Sequence, residues 1–374
     1  MLKKLSNNLK NFFLKFKEIN NINKNKPRFI FYSENKAYLK YGYPVLEYLS
    51  KKYPGEVYYV SSDINDKVSD LDVVNIHIGH GFLLQYFFKS VVTDNLFMTL
   101  TDLNNNIIKK NSFVKNYIYF FHGAVSTTRI YTSTAFDNYD TILCNGEYQI
   151  KEIRQREELD NLKEKKLIKS GFFYFDYLKD KVEESQNDNE ILVAPSWNKN
   201  RLNFINEDFE EILKNLLNSG YKVRFRPHPE TVKRSENLME SYKEKFKNKE
   251  FLFDDNSENL EAMKNAKCLI TDNSGISIEY MMLFKKPVIF YSDFDKVHNE
   301  SFEMFKGLVP IEDTIKEKFG YEFNKHELIE IDKVINKAID NFDKKEIDNF
   351  LKNNFYNYGN TIDYFDKNFS KICL

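Results

Sequence analysis

A chain of 374 residues, 42% hydrophobic and 30% charged, has material for two cores, and it holds no stretch near the ~20 consecutive apolar residues that a membrane-spanning helix needs. Its formal charge of −1 hides an asymmetry: residues 1–26 carry seven lysines and one glutamate, a net of +6, which leaves −7 for the rest. A nucleic-acid-binding body, with its basic face on the folded domain, is therefore not expected.

The chain opens on a basic amphipathic helix. Leu2, Leu5, Leu9, Phe12, Phe13, Phe16 and Ile19 recur at helical spacing, with Lys3, Lys4, Lys10, Lys15 and Lys17 between them. Residues 1–20 read either as a helix lying in an anionic membrane surface, each lysine adding ~1 kcal/mol near acidic lipid, or as one docked on its own domain or a partner. A polar tether follows at residues 20–26. The start lacks the continuous apolar region and cleavage site of a signal peptide. Three cysteines, Cys144, Cys268 and Cys373, are too few and scattered for a disulfide framework or a cysteine zinc site. Cys144 and Cys268 lie in apolar runs and read as reduced core residues. The expectation is a cytoplasmic protein, peripheral on the inner face of the membrane.

From Arg28 onward short apolar runs alternate with helical segments, the pattern of a doubly wound parallel sheet. Strands are predicted at 29–32, 57–60, 73–77, 96–100, 117–121, 141–144 and 167–169. The polar stretch 181–190 marks a boundary, and a second series follows at 191–194, 223–226, 251–253, 268–271 and 288–291. Helices are predicted at 205–218, 233–247, 257–265 and 275–284. After residue 308 the pattern becomes helical and charged. The expected fold is α/β, two Rossmann-like domains facing across a cleft at the carboxyl ends of their strands. The divisions are 1–26 for helix and tether, 27–185 and 186–345 for the domains, and 346–374 for a helical segment that returns to the first domain.

Several residues fall at strand ends, where ligands bind such folds. The turn 271–275 joins a buried strand to a helix, and the helix amides around 275–277 favour an anion. Asn273 or Ser274 reads equally as a cap of that helix, with Gly275 relieving crowding; capping and phosphate contact are compatible. His122-Gly123 ends one first-domain strand, and His228 sits between prolines after a second-domain strand. Two such histidines suit a base and a charge stabiliser, or they are structural. Arg226, before His228, is the candidate for a phosphate contact. Ser196 and Trp197 close the strand 191–194, where a nucleotide base would stack on the indole or the indole would pack between domains. His77 and His80 have metal-like spacing but no acidic or thiol partners nearby, so His80 reads as cleft lining or structure. With no dinucleotide fingerprint, Walker loop or carboxylate cluster, no cofactor or metal site is predicted; a divalent ion is left open.

Ordered pieces of the sequence resemble the CDP-glycerol glycerophosphotransferases that build teichoic acids and capsule polymers. These are FHG at 121–123, SGFFYFD at 170–176, ILVAPSW at 191–197, RPHP at 226–229, CLITDNSGISIEY at 268–280 and KPVIFYSD at 286–293. The resemblance implies a GT-B-like pair of domains, with a CDP-alcohol donor and an acceptor hydroxyl on a polysaccharide or lipid-linked precursor. It implies that His122 is the acceptor-side base, with Gly123 and Arg129 beside it. It also implies that His228 lies near the donor pyrophosphate, that Asp272 and Ser274 hold phosphate, and that Glu279 is the acidic residue downstream. The hydroxyl would attack the β-phosphorus and release CMP, with positioning and charge neutralisation carrying the catalysis. The family's TDYSS is TDNSG here, which changes positions 273 and 275, and Phe121 stands where the family often has Trp. CDP-ribitol fits the same frame. A GT-B glycosyltransferase using a nucleotide sugar and a non-catalytic assembly partner are the other readings.

Overall fold

The apolar runs form two fully parallel sheets in a computed structural model that describes residues 2–374 other than 106, 180, 183–188, 198–203, 206, 257–258, 273, 293–296 and 298. The chain divides into two units. The first comprises Met1–His122, Thr132–Tyr177 and Phe355–Leu374, and the second Gly123–Tyr131 and Leu178–Asn354.

In the first unit the strands are β1 (Phe29–Ser33), β2 (Val57–Ser61), β3 (Val74–His77), β4 (Thr93–Met98), β5 (Val114–Phe120), β6 (Thr141–Cys144) and β7 (Lys166–Lys169), in the spatial order β3-β2-β1-β4-β5-β6-β7. β1, β2 and β6 are buried at every position, as a parallel sheet covered on both faces requires, and their sequences are accordingly near-continuous apolar runs. The core gathers Phe31, Val45, Leu46, Leu49, Tyr59, Phe97, Ile118 and Phe120, and it includes Phe365 and Ile372 of the closing segment. That segment is tied down by polar bonds. Asn116 Nδ2 donates to the Ile372 carbonyl at 2.9 Å, and the Thr361 amide donates to Asp176 at 2.7 Å. Gly171, at φ +87°, lets the Tyr356 carbonyl approach to where a Cβ would be only 2.1 Å away, an approach open to glycine alone.

The N-terminal helix Leu2–Asn25 docks on this unit. Ile19 and Ile22 are buried, Phe16 stacks on Tyr86 at 4.5 Å, and Tyr86 donates its hydroxyl to Asn20 at 2.7 Å. Another side of the helix stays in solvent: Phe12 is 37%, Phe13 61% and Leu14 50% exposed, beside Phe82 at 62%. Among the described residues no helix is long and apolar enough to cross a membrane.

The second unit holds β8 (Glu190–Val193), β9 (Lys222–Phe225), β10 (Phe251–Phe253), β11 (Ala266–Thr271), β12 (Val288–Tyr291) and β13 (Gly320–Phe323), ordered β10-β9-β8-β11-β12-β13. Its core is built from Val193, Phe209, Ile212, Phe225, Ile270, Ile289, Tyr291 and Ile335. β13 lies where only helix was expected. It is an edge strand with a single buried residue, Phe323, and it begins at a glycine where any Cβ would meet the Phe290 ring at 2.6 Å. Both sheets share one topological property: the strand order reverses between β1 and β4 in the first and between β8 and β11 in the second. Ligands of doubly wound folds bind at the carboxyl ends of strands beside such a reversal.

Candidate functional site

At the reversal in the second unit, the carboxyl ends of β8 and β11 are joined by a buried polar tie. Thr271 Oγ1 donates to the Ala194 carbonyl at 2.6 Å. One step further, the Ser196 amide and hydroxyl donate to the two oxygens of Asp272 at 2.8 and 2.7 Å. Ser196 and Asp272, both predicted for the donor side, thus meet, and their polar groups bond to each other. Charge-assisted bonds of this kind are stronger than neutral ones, so the tie fixes where the following turn begins.

Asn273 lies outside the described residues. The Ser274 amide donates back to the Asp272 carbonyl at 2.8 Å, and Ser277 donates its hydroxyl and amide to the Ser274 carbonyl. Gly275 is the N-cap of the helix Ile276–Phe284, in helical conformation (φ −59°, ψ −22°), and no side chain caps it. Among the described residues, none accepts from the amides of Gly275 and Ile276. Two amides and a helix dipole therefore face outward from a turn anchored at the reversal point, an arrangement that suits an anion. Glu279, in the first helical turn, is buried and accepts from Asn259 Nδ2 at 3.2 Å.

The strand next to β8 supplies the cations and the ring. Arg226 donates to the Asn256 carbonyl at 2.8 Å and pairs with the buried Asp254 at 3.1 Å; Asp254 also faces Arg224 at 3.5 Å, and Arg224 pairs with Glu190. The guanidinium of Arg226 thus shapes the loop after β10. His228 caps the short helix Pro229–Arg234 by accepting the Glu230 amide on Nδ1 at 3.1 Å. A neutral ring so bonded carries its proton on Nε2, which makes that nitrogen the donor. His228 is exposed, lies against Trp197 with ring centroids 6.4 Å apart, and Arg234 sits over the same indole at 5.5 Å.

Gly123 and Arg129, expected beside His122 on the acceptor side, belong to the second unit with the whole of residues 123–131. Here the Ser126 amide donates to both carboxylate oxygens of Glu312, 3.1 Å each. Arg129 pairs with Asp313, and Asn299 donates its side-chain amide to the Thr128 carbonyl at 2.7 Å and its backbone amide to that of Arg129 at 3.1 Å. Burial pushes the Glu312 carboxyl up to about 7, although the Ser126 amide and Arg129 pull the other way. Val125 lies against the anion-type turn: a Cβ on Gly275 would be 3.4 Å from its Cγ1. Glu312, Asp313 and Asn299 escaped the sequence reading, since nothing local links them to a segment some 170 to 190 residues earlier.

In the first unit His122 follows β5, and the backbone of Thr99, just past the end of the neighbouring β4, bonds its ring. Tyr38 meets the imidazole edge-on at 5.4 Å and Tyr41 at 6.1 Å. Burial lowers its pKa to about 4 against the opposing Thr99 bond, so the ring is neutral at pH 7. His80 stands exposed between Gly79 and Gly81, both at positive φ, while His77 binds the Asp66 carbonyl.

Residues 125–358, more than half of the chain, match the family described as CDP-Glycerol:Poly(glycerophosphate) glycerophosphotransferase. No curated protein matches. Among solved structures, the chain is similar to the wall teichoic acid polymerase TagF, with a TM-score of 0.64, 17% identity, and 99% of this chain and 97% of that one covered. It is also similar to the UDP-GlcNAc 2-epimerase of Methanocaldococcus jannaschii in complex with UDP-GlcNAc and UDP, with a TM-score of 0.53, 14% identity, and coverage of 92% and 99%. At such identities the likeness is one of fold, two Rossmann-like domains of the GT-B kind.

Proposed function

We propose that this chain, which belongs to the CDP-glycerol:poly(glycerophosphate) glycerophosphotransferase family and is a transferase of that class, moves glycerol phosphate from CDP-glycerol to a hydroxyl of a wall polymer or its lipid-linked precursor, releasing CMP. The observation that carries the donor assignment is the turn at the β8/β11 reversal, held by Ser196 and Asp272, with the Gly275 and Ile276 amides facing outward. These amides and the Ser274 hydroxyl hold the donor pyrophosphate. His228 donates from Nε2 to a phosphoryl oxygen, and Trp197 offers a face for the cytosine.

In the transfer the acceptor oxygen forms a bond to the β-phosphorus as the bond from that phosphorus to the oxygen bridging to the α-phosphate breaks. The hydroxyl proton passes to neutral His122, and CMP leaves with the bridging oxygen. The protein supplies position and charge neutralisation and forms no covalent intermediate. We assign donor binding to the second unit and acceptor binding to the first. Asp272, Arg226 and Glu279 act on the donor through the backbone they hold, and Arg129 through the segment it anchors.

The exposed Phe12, Phe13 and Leu14, flanked by exposed Lys10 and Lys17, suit the surface of an anionic membrane, which would bring the enzyme to a lipid-linked acceptor at the inner face.

The test is nucleotide release from CDP-glycerol, CDP-ribitol and nucleotide sugars, with an oligosaccharide or lipid-linked acceptor. CMP release that depends on CDP-glycerol supports the reading, and release only from nucleotide sugars overturns it. His122→Ala and His228→Ala each lower turnover by ~10²-fold or more; unchanged turnover returns both to structural roles.

A further inference from the structure

Glu312 is an expensive residue where it stands. A buried carboxylate loses several kcal/mol of hydration, and Arg129, whose charge acts on it, is already paired with Asp313. Besides its own backbone amide, Glu312 holds that of Ser126, with both its oxygens. Ser126 in turn caps the short helix Thr127–Ile130 by accepting the Thr128 amide at 3.2 Å, and Asn299 takes the end of the same turn through the Thr128 and Arg129 carbonyls. Side chains from 299–313 thus fix residues 126–129 at both ends. The residue that precedes them, Val125, lies beside Gly275 at the outward-facing amides.

We propose that residues 124–130 form a wall of the donor site and that Glu312 is the positioning residue that seats this wall against the turn at Gly275. The inference rests on the reading that this turn holds the donor phosphates. Gly275 has an ordinary helical φ, so the backbone there does not require glycine; the space above it is what matters, and Val125 occupies that space. Loss of the Glu312 grip lets Val125 withdraw, which opens the turn to water and weakens its hold on an anion without touching the reacting atoms.

The experiment measures KM for CDP-glycerol, KM for the acceptor and kcat in Glu312→Gln, Glu312→Asp, Val125→Ala and Ser274→Ala, each checked for a native melting transition. Gln offers one oxygen to an amide that now has two, so Glu312→Gln is expected to raise donor KM about 10-fold, with kcat and acceptor KM within about 2-fold. Val125→Ala is expected to move donor KM in the same direction, and Glu312→Asp to recover part of the loss. Folded Glu312→Gln and Val125→Ala enzymes with unchanged donor KM overturn the inference, whereas an unchanged donor KM in Ser274→Ala counts against the donor turn itself. A fall in kcat with donor KM unchanged also overturns it.

Discussion

Replacing Glu312 by Gln should change how the stability of the second unit depends on pH. The carboxyl moves from an ordinary value of 4.5 in the unfolded chain to about 7 in the fold, chiefly through burial. An acid whose pKa is raised by folding binds more protons folded than unfolded between those two values. Folding stability is therefore complete below pH 4.5 and falls as pH rises through the window to 7. At roughly 1.4 kcal/mol for each pH unit, the full loss is about 3 kcal/mol, most of it between pH 5 and pH 8. Arg129, Asp313 and the Ser126 amide face the same carboxyl and are unchanged in the variant. The glutamine side chain carries no titrating proton, so the slope vanishes even though the Ser126 amide loses one of its two acceptor oxygens. The single tryptophan, Trp197, lies in the second unit and reports its unfolding by fluorescence. Urea curves for both proteins at pH 5, 6, 7 and 8 give the difference directly, because every other group titrates alike in the two. The variant should gain on the parent by about 2 kcal/mol across that range. A difference flat to within about 0.5 kcal/mol, or one that widens in the parent's favour as pH rises, refutes the reasoning.

Three further outcomes are expected. Gly171→Ala forces a Cβ to within 2.1 Å of the Tyr356 carbonyl at φ +87°, and it should lower the stability of the first unit by more than about 2 kcal/mol, read as a fall in melting temperature; a shift under about 2 °C means that the closing segment is not held as described. Asp272→Ala leaves the buried Ser196 amide and hydroxyl without an acceptor, a cost of about 1–3 kcal/mol, and it should cut kcat/KM for CDP-glycerol by about 10-fold or more by loosening the turn. Phe12→Ser with Phe13→Ser, which spares the buried Ile19 and Ile22, should reduce sedimentation with phosphatidylglycerol vesicles and leave turnover on a soluble acceptor intact; undiminished binding removes this face of the helix as the anchor.

The sheets were legible because parallel strands buried on both sides must be apolar throughout, and FIFYS, VYYVS and TILC admit no other reading as strands. β13 was not legible, since an edge strand with one buried residue has no such run. Among the candidate site residues, His122 in the first unit and Ser196, His228 and Asp272 in the second stand out from their places just after strands. Their partners were not. That Asp272 would be met by Ser196, 76 positions away, and Arg226 by Asp254, depends on strand order, which local pattern does not encode. The helix at residues 1–20 had two readings because amphipathic spacing shows that a face is apolar, not what covers it. Part of that face rests on Tyr86, and part is bare. The motif at 170–176 was recognised as a family mark, yet Gly171 and Asp176 are occupied with packing the closing segment.

That neither unit is one continuous stretch of chain bears on the order in which the protein can be made. The second unit includes residues 123–131, so these emerge from the ribosome long before Glu312, Asp313 and Asn299, the residues that hold them. The first sheet is synthesised early, but its core takes Phe365 and Ile372, so it stays unfinished until residues 355–374 appear. Folding in the usual sense, one domain completed before the next begins, is closed to this chain. The second unit has all its parts by residue 354, and the half of the enzyme that is translated first is the half that finishes last.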